Sequence, residues 1–160
     1  MIAVIADTHM PKGNRRLPER CLELIRAAEA VIHAGDFFEA SVLAELRRLC
    51  PTVLAVHGNV DEPALRRELP EELEIELGGH ALALLHDAGP AKGRLARLRR
   101  RFPTADAVVF GHSHLPLHEE EGGFQIFNPG SPTERRRAPR PSMGLLSQSK
   151  GRLAFEHVWL

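Results

Sequence analysis

Short apolar segments alternate with amphipathic segments along the first 110 residues of the chain. Five segments are apolar without interruption, which is typical of strands buried on both faces of a sheet. They cover residues 2–6, 30–32, 53–56, 82–85 and 107–110. Three others repeat apolar residues at helical spacing: Leu17, Cys21, Leu24, Ile25 and Ala28; Leu43, Leu46, Leu49 and Cys50; and Leu95, Leu98 and Phe102. Strands that alternate with helices predict a largely parallel sheet.

The pattern changes to β in the last third of the chain. Residues 115–119 and 124–127 flank Gly122-Gly123, and residues 143–148 are expected to pair with 153–159 across Lys150-Gly151. Residues 72–77 and 80–85 predict a further hairpin around Gly78-Gly79. The arginine-rich residues 133–141 predict an irregular loop. We therefore expect an α/β fold in a single domain, residues 1–160, in which two facing mixed sheets share a core and carry helices outside.

Each apolar segment ends, within a few residues, on side chains that can bind a metal ion. Open α/β sheets bind ligands beyond the carboxyl ends of their strands, so five strands would bring these side chains to one edge. The candidate ligands are Asp7, His9, Asp36, Asn59, His86, His112 and His114. This arrangement predicts a metal-dependent hydrolase.

The spacing and the chemistry of the candidates indicate more than one ion. Asp7 and His9 are two residues apart, as are His112 and His114, so each pair is expected to point one way from an extended strand and to serve one centre without backbone distortion. Carboxylate, imidazole and amide donors suit manganese, iron, zinc or nickel better than calcium or magnesium. Seven ligands suit two ions ~3.5–4 Å apart with a bridging carboxylate.

Each motif alone has a simpler explanation. Asp-x-His is frequent by chance, and Gly35-Asp36 could be a turn. Residues 58–61 could form a β-turn with Asp61 as a helix cap, and His86 could be a hydrogen-bonded histidine at a strand end. The ordered occurrence of all of them at strand ends favours the metal site.

Together these motifs resemble those of the calcineurin-like metallophosphoesterase superfamily. The set is Asp7-x-His9, Gly35-Asp36, Gly58-Asn59-x-Asp61, His86 and Gly111-His112-x-His114, followed by Asn128-Pro129-Gly130-Ser131. The short chain is similar to the compact bacterial and archaeal phosphodiesterase branch. The resemblance implies a four-layer α/β/β/α sandwich and a dinuclear centre that activates a bridging water. It also implies that Asp7, His9 and His114 bind one ion, that Asn59, His86 and His112 bind the other, and that Asp36 bridges them.

The resemblance assigns Asp36, Asn59 and His86 to catalysis and leaves two departures to explain. Larger phosphomonoesterases of the superfamily carry histidine where this chain has Val60, and the residue after His86 is usually glycine, whereas here it is Asp87. Valine has no proton for a leaving alkoxide, so we expect a preference for phosphodiesters, unless another group such as His57 supplies the proton. Asp87 is either an additional group outside the ligands or a turn residue.

Several residues are candidates for supporting roles. His33 and His57 are expected to hydrogen-bond ligand carboxylates or, alternatively, the backbone, and Asp61 is expected to support the site from outside the ligands. At least one of the arginines that follow the Asn-Pro-Gly-Ser turn, Arg135, Arg136, Arg137 and Arg140, is a candidate for binding the substrate phosphate, with Arg136 and Arg137 foremost. The alternative is a solvated loop. Arginines 97, 99, 100 and 101 are expected to form a solvated face, because they lie opposite Leu95, Leu98 and Phe102 on the predicted helix. No aromatic residues interleave them, as a nucleic-acid groove would require.

The composition of the chain limits its expected partners and cellular compartment. The 160 residues include 21 basic and 21 acidic side chains, so net charge does not imply polyanion binding. Cys21 and Cys50 are expected to be buried free thiols of a reducing compartment. The chain starts in a strand and has no apolar stretch near the ~20 residues that span a bilayer, so we expect no signal peptide, no membrane partner and a cytoplasmic protein.

The leading hypothesis is a phosphodiesterase with two divalent transition-metal ions, manganese foremost, acting on a small phosphoester. Two rivals remain open. One is a catalytically silent scaffold, because the compact fold also resembles a retromer subunit. The other is a nuclease, which would need more binding surface than 160 residues offer. No specific nucleic-acid partner is evident, and a homo-oligomer is compatible with the sequence.

Overall fold

Ten strands and four α-helices make up a computed structural model that describes residues 1–149 and 151–160. The strands are β1 (Ile2–Ile5), β2 (Ala30–Ala34), β3 (Val53–Val56), β4 (Glu72–Leu77), β5 (His80–Leu85), β6 (Ala107–Val109), β7 (Leu117–Glu121), β8 (Phe124–Asn128), β9 (Ser142–Ser149) and β10 (Arg152–Trp159). The helices are α1 (Glu19–Ala27), α2 (Ala40–Leu49), α3 (Pro63–Glu68) and α4 (Arg94–Arg101), and a short 3-10 turn covers Lys12–Asn14.

The strands form two five-stranded mixed sheets. The first has the order β10-β9-β1-β2-β3 and the second β4-β5-β6-β8-β7. In the first sheet β1, β2 and β3 run parallel, and in the second β5, β6 and β8 do. The antiparallel strands β9 and β10 complete the first sheet, and β4 and β7 form the edges of the second. Each sheet therefore contains three parallel strands, as the alternation of strands and helices predicted for part of the chain.

Three apolar clusters define four layers. Alternate residues of β1 face opposite clusters, since Val4 belongs to the cluster between the sheets and Ile5 to the cluster under α1 and α2. A third cluster packs α4, through Leu98, against the outer face of the second sheet. The central strands are buried on both faces, which explains why their sequences are apolar without alternation. The predicted α/β/β/α sandwich is confirmed.

Element boundaries differ from the predictions where proline intervenes. Strand β7 begins at Leu117 rather than at residue 115, because Pro116 has no N–H to donate to the ladder. Helix α1 begins after Pro18 and leaves Leu17 outside it. The short helix α3 was not predicted, because only Leu65 of its six residues is buried and no apolar period is visible. The turn predicted at Lys150-Gly151 lies partly outside the described residues.

The solvated arginine face predicted on α4 holds for Arg100 and Arg101, which are exposed, whereas Arg97 and Arg99 are only partly exposed. Arg97 donates to the carbonyl oxygens of Ala88 and Pro90, both at 2.7 Å. Arg99 donates to the Glu121 carbonyl oxygen, and Arg101 pairs with Glu72. Arginine side chains satisfy exposed carbonyl oxygens with several donors at once, which a helical periodicity does not reveal. The Arg97 contacts fix α4 to the loop that follows β5, and the contacts of Arg99 and Arg101 fix it to β7 and β4 of the second sheet.

Other sequence-based expectations concern thiols and membranes. Cys21 and Cys50 are both free and buried, as predicted. Within residues 1–149 and 151–160, no helix has the length and apolar character needed to cross a bilayer.

Candidate metal centre

The seven candidate ligands follow the carboxyl ends of parallel strands from both sheets. Asp7 and His9 follow β1, Asp36 follows β2, and Asn59 follows β3. From the second sheet, His86 follows β5, and His112 and His114 follow β6. The edge predicted from the sequence therefore exists, and it is built where the two facing sheets meet.

Asp7, His9 and His114 form a first group. The Nε2 atoms of the two histidines are 3.1 Å apart, and His114 Nε2 lies 3.4 Å from Asp7 Oδ1. All three side chains are buried. One ligand atom from each side chain lies within 4.8 Å of the other two, so one ion could contact all three.

Asp36, His86 and His112 form a second group, to which Asn59 adds an amide oxygen. His86 Nε2 lies 3.1 Å from Asn59 Oδ1 and 3.3 Å from His112 Nδ1. His112 Nδ1 is also 3.1 Å from Asn59 Oδ1. This group is more open than the first, because His112 and Asn59 are exposed.

One carboxylate oxygen joins the groups. Asp36 Oδ2 lies 3.5 Å from His9 Nε2 in the first group and 3.2 Å from His86 Nε2 in the second. The other oxygen, Oδ1, accepts the Val60 N–H at 3.0 Å. The grouping and the central place of Asp36 match the arrangement implied by the family resemblance, while the ligand roles themselves stay predictions.

Hydrogen bonds to the outer ring nitrogens decide which nitrogen faces the centre. His86 Nδ1–H donates to the Ala34 carbonyl oxygen at 2.8 Å, and His114 Nδ1–H donates to the Glu134 carbonyl oxygen at 3.1 Å. In each ring Nε2 is then the nitrogen directed at the neighbouring ligands. Such backbone acceptors are the usual partners of metal-bound histidines.

The donor set fits a bound cation. Asp7 Oδ2 is buried without a hydrogen-bond partner among the described residues, whereas Asp7 Oδ1 accepts the His112 N–H at 3.1 Å. A buried carboxylate oxygen without a partner is costly unless a cation satisfies it. Two carboxylates, four imidazoles and one amide oxygen converge here, which suits a pair of divalent transition-metal ions.

The charges of the site perturb several pKa values. Burial opposes the charge of Asp36, but the hydrogen bond and charge of His86, with the Val60 N–H, lower the pKa of this carboxyl to about 2. Burial also opposes protonation of His86, yet the hydrogen bond that its ring donates to the Asp36 carboxylate and the charge of Asp7 raise its pKa to about 8. Burial lowers the pKa of His114 and favours its neutral form. In the metal-free chain His86 therefore carries a proton near neutral pH, and a metal ion would have to displace this proton to bind the ring.

The backbone at the ligands contradicts the expected extended geometry. Asp7, His9, Asp36, His112 and His114 all have positive φ angles, between 45° and 69°. Residues other than glycine rarely adopt this conformation, and it costs free energy that surrounding contacts must offset. Moreover, the side chains of His112 and His114 belong to different ligand groups, whereas the pair was expected to bind one centre. Spacing by two residues therefore brings both side chains to the site through left-handed turns, not through a regular strand.

Asp61 supports the loops that carry two of the candidate ligands. Its carboxylate accepts the N–H groups of Gly58 at 2.6 Å, Asp36 at 3.1 Å and Phe38 at 2.8 Å. It is buried and does not cap α3, whose N-terminal flanking residue is Glu62. The supporting role predicted for Asp61 agrees with these contacts, and the alternative of a helix cap is wrong.

His33 and His57 contact backbone and hydroxyl groups instead of ligand carboxylates. The His33 Nδ1 accepts the Gly35 N–H at 3.2 Å, and its Nε2 lies 3.2 Å from Thr8 Oγ1. Its ring also stacks on Phe37, with centroids 3.5 Å apart. His57 Nδ1 lies 3.4 Å from the Gly58 carbonyl oxygen. The expectation of carboxylate partners is wrong for both, because the histidines precede the turns that redirect the chain.

The sequence did not identify the residues that fasten the loops of the first group. Ser131 Oγ–H donates to the Asp7 carbonyl oxygen and Thr133 Oγ1–H to the Thr8 carbonyl oxygen, both at 2.8 Å. Asn128 donates to the Gly111 carbonyl oxygen at 2.8 Å. The family resemblance includes residues 128–131 among its motifs but does not say what these residues do.

Exposed polar residues line the mouth of the site. A cavity of about 380 Å³ adjoins Asn59 and His86 and is also lined by His57, Arg66 and Asp87. Asp87 accepts the Gly89 N–H at 2.8 Å as a turn residue, and its other oxygen is 4.0 Å from His112 Nε2. The loop 133–141 is irregular, as predicted.

Of the two predicted phosphate-binding residues, one lies against the site. Arg136 Nη1 lies 3.4 Å from the His112 carbonyl oxygen. Arg137 is exposed, and its side chain has no hydrogen-bond partner within the described part of the chain.

Comparison with known proteins agrees with this geometry. A family model described as the calcineurin-like phosphoesterase superfamily domain matches residues 1–151. A probable metallophosphoesterase from Methanothermobacter thermautotrophicus is 34% identical over 138 residues, covering 85% of this chain and 79% of that protein. Phosphodiesterase YfcE from Escherichia coli is 27% identical, with 88% of this chain and 84% of that protein covered. The crystal structure of wild-type Vps29 from Entamoeba histolytica complexed with Zn²⁺ is similar, with a TM-score of 0.79 and 26% identity over 99% and 98% of the two chains.

Proposed function

Since the chain belongs to the calcineurin-like phosphoesterase superfamily, we propose that it is a phosphodiesterase that works with two divalent transition-metal ions. The observation that carries this proposal is the position of Asp36. One oxygen of this carboxylate contacts a histidine of each ligand group, as a bridge between two ions requires.

The residues of the chain would prepare this chemistry. Two bound ions would provide a nucleophile at neutral pH and stabilise charge on the phosphoryl oxygens. Ala34 and Glu134 accept the outer N–H groups of His86 and His114 and so direct the inner nitrogens at the centre. Asp61 holds the turns of Asp36 and Asn59 together, which fixes the position of the Asp36 carboxylate relative to Asn59.

Val60 supports the choice of a diester over a monoester. Its side chain is 37% exposed next to Asn59, and its N–H already donates to Asp36. A positioned acid contributes ~10²–10⁴-fold to expulsion of a basic leaving group, and valine cannot act as one. Phosphodiesterase YfcE, a relative named for this activity, covers 88% of the chain.

For the metal, we propose manganese first, with iron, zinc or nickel as alternatives. Nitrogen donors from four histidines and oxygen donors from Asp7, Asp36 and Asn59 form a mixed set that all four metals accept. The Zn²⁺ complex of Entamoeba histolytica Vps29 supports zinc as a ligand of a similar fold. The small phosphoester substrate and a cytoplasmic location remain part of the same proposal.

A scaffold without catalysis is the second candidate, and the Vps29 likeness favours it. Both functions are compatible with the fold. They differ in whether the bound metals turn over a phosphoester.

The test compares an aryl phosphodiester with its monoester on protein loaded with manganese and on chelated protein. We expect metal-dependent cleavage that favours the diester, and loss of most activity in His86→Ala. Val60→His should raise monoester cleavage relative to diester cleavage. The matched control is His80→Ala, on β5 but outside the site, which should retain activity. A metal-loaded protein that cleaves neither ester would favour the scaffold, and faster monoester cleavage by the original chain would refute the diester assignment.

A further inference from the structure

One arginine of the 133–141 loop lies against the segment that carries two candidate ligands. The Arg136 Nη1 lies 3.4 Å from the carbonyl oxygen of His112, and its Nε lies 4.0 Å from the Glu134 carboxylate. The side chain is 47% exposed, so its remaining N–H groups are accessible to solvent and to a ligand. His112 belongs to one ligand group, and His114, two residues further along the same segment, belongs to the other.

The other arginines of the loop have different contacts. Arg135 donates to the carbonyl oxygens of Ala138 and Pro139, within the loop itself. Arg140 donates to the Leu160 carbonyl oxygen at 3.2 Å, near the end of the chain. The loop therefore directs one specific guanidinium to the ligand segment.

Glu134 connects this arginine to the first ligand group. Its carbonyl oxygen accepts the His114 Nδ1–H, and its N–H donates to Ser131 Oγ at 3.0 Å. Its carboxylate pairs with Arg15 at 3.1 Å and approaches Arg136. The backbone of Glu134 thus holds a candidate ligand, while its side chain lies between two cations.

The backbone of Arg136 agrees with this placement. It has a φ of 45°, a conformation that non-glycine residues keep only where surrounding contacts enforce it. The loop is therefore held in a conformation that places this cation beside the centre.

We propose that Arg136 binds a non-bridging oxygen of the substrate's phosphoryl group and that Glu134 is the residue that positions it. A guanidinium matches the geometry of phosphate oxygens with two parallel donors, and it keeps its charge throughout the working pH range. This inference rests on the proposed function, because it assumes that a phosphoryl group occupies the space beside the two ligand groups.

The test measures the affinity of inorganic phosphate for the manganese-loaded protein by calorimetry, independently of turnover. Arg136→Gln should weaken phosphate binding about tenfold, the lower end of what a hydrogen bond between charged groups contributes. Arg136→Lys should recover part of the affinity, and Glu134→Gln should weaken it in the same direction by a smaller factor. The matched control is Arg137→Gln, the neighbouring exposed arginine, which should stay within about twofold of the original chain.

Kinetics and metal content separate a binding role from a structural one. Arg136→Gln should raise the KM for the aryl diester with a smaller change in kcat, because the contact exists before and during the reaction. Its metal content should equal that of the original chain. Equal phosphate affinity in Arg136→Gln and Arg137→Gln would overturn the inference, as would metal loss in Arg136→Gln. If the protein binds phosphate through Arg136 but cleaves no ester, the proposed function is refuted and the phosphate-binding site is still supported.

Discussion

At the scale of single residues, Asp36 is the most constrained side chain of the candidate centre. Its Oδ2 lies within 3.5 Å of a histidine from each ligand group, and its Oδ1 and backbone N–H are both engaged by the Asn59 turn and Asp61. The low pKa of about 2 keeps it ionised at all pH values where the fold is expected to function. A residue with this many fixed contacts should tolerate little change.

Asp36→Ala is therefore predicted to empty both sites at once. The original chain should bind about two ions, and the variant should retain fewer than one, because a shared ligand is missing from each group. Elemental analysis after gel filtration measures this directly. Asp106→Ala, which removes a half-exposed carboxylate that pairs with His80, is the control and should keep its metal. Two ions bound to Asp36→Ala would contradict the bridging assignment.

At the scale of elements, the site depends on turns that approach one another closely after β2 and β3. Gly58 is the closest of these approaches. A Cβ at this position would come within 2.7 Å of Asp36 Cγ, and the Gly58 N–H donates to Asp61. The glycine of this motif is thus required by the space between two loops rather than by a positive φ angle.

Gly58→Ala should both destabilise the fold and reduce metal binding. We expect a loss of about 3 kcal/mol in the free energy of unfolding, the upper end of the range for overpacking a dense site. Gly79→Ala is the comparison, since a Cβ there meets no atom within 4 Å and only its φ of 84° is unfavourable. Denaturant titration and metal analysis of both variants distinguish the cases. Gly58→Ala with unchanged metal content would show that the turns can separate without harm.

At the scale of the whole molecule, a buried histidine makes stability depend on pH. His33 lies in β2 with all sides covered, and burial, followed by the charge of His86, lowers its pKa well below 6.5. The unfolded chain protonates this imidazole near pH ~6.5, whereas the folded chain keeps it neutral. The unfolded state therefore binds more protons in acid than the folded state does. The contribution of His33 to the free energy of unfolding is thus fully present above pH ~6.5 and is lost as the pH falls below it.

The chelated protein should accordingly lose stability as pH falls below about 6.5, and His33→Asn should flatten part of this dependence. Urea unfolding at several pH values gives the two slopes. Phe37→Leu serves as the control, because it removes the stacking partner of His33 without removing a titrating group. If His33→Asn and the original chain show parallel pH dependence, the neutral buried state of His33 is disproved.

Much of this organisation could be predicted because it is local. The apolar runs before Asp7 and His112 identify buried strands, and buried parallel strands share one edge, so the candidate ligands were expected to meet. The left-handed turns at these residues could not be foreseen, since periodicity arguments assume a regular strand. The contacts of Asp61 with the N–H groups of Asp36 and Phe38 span more than 20 positions, and no local pattern encodes them.

The two sheets contribute jointly to each ligand group. Asp7 and His9 come from the first sheet and His114 from the second, while Asp36 and Asn59 face His86 across the same boundary. Under the proposed function each ion would therefore act as a cross-link between the two halves of the core. A ligand that binds only the folded state adds to its stability by an amount that rises with the logarithm of the ligand concentration above Kd. The concentration of free metal would then determine the free energy of unfolding of the chain as well as the rate of the reaction. A descendant that lost the metal ligands would lose this cross-link as well, and would have to replace it with other contacts between the sheets.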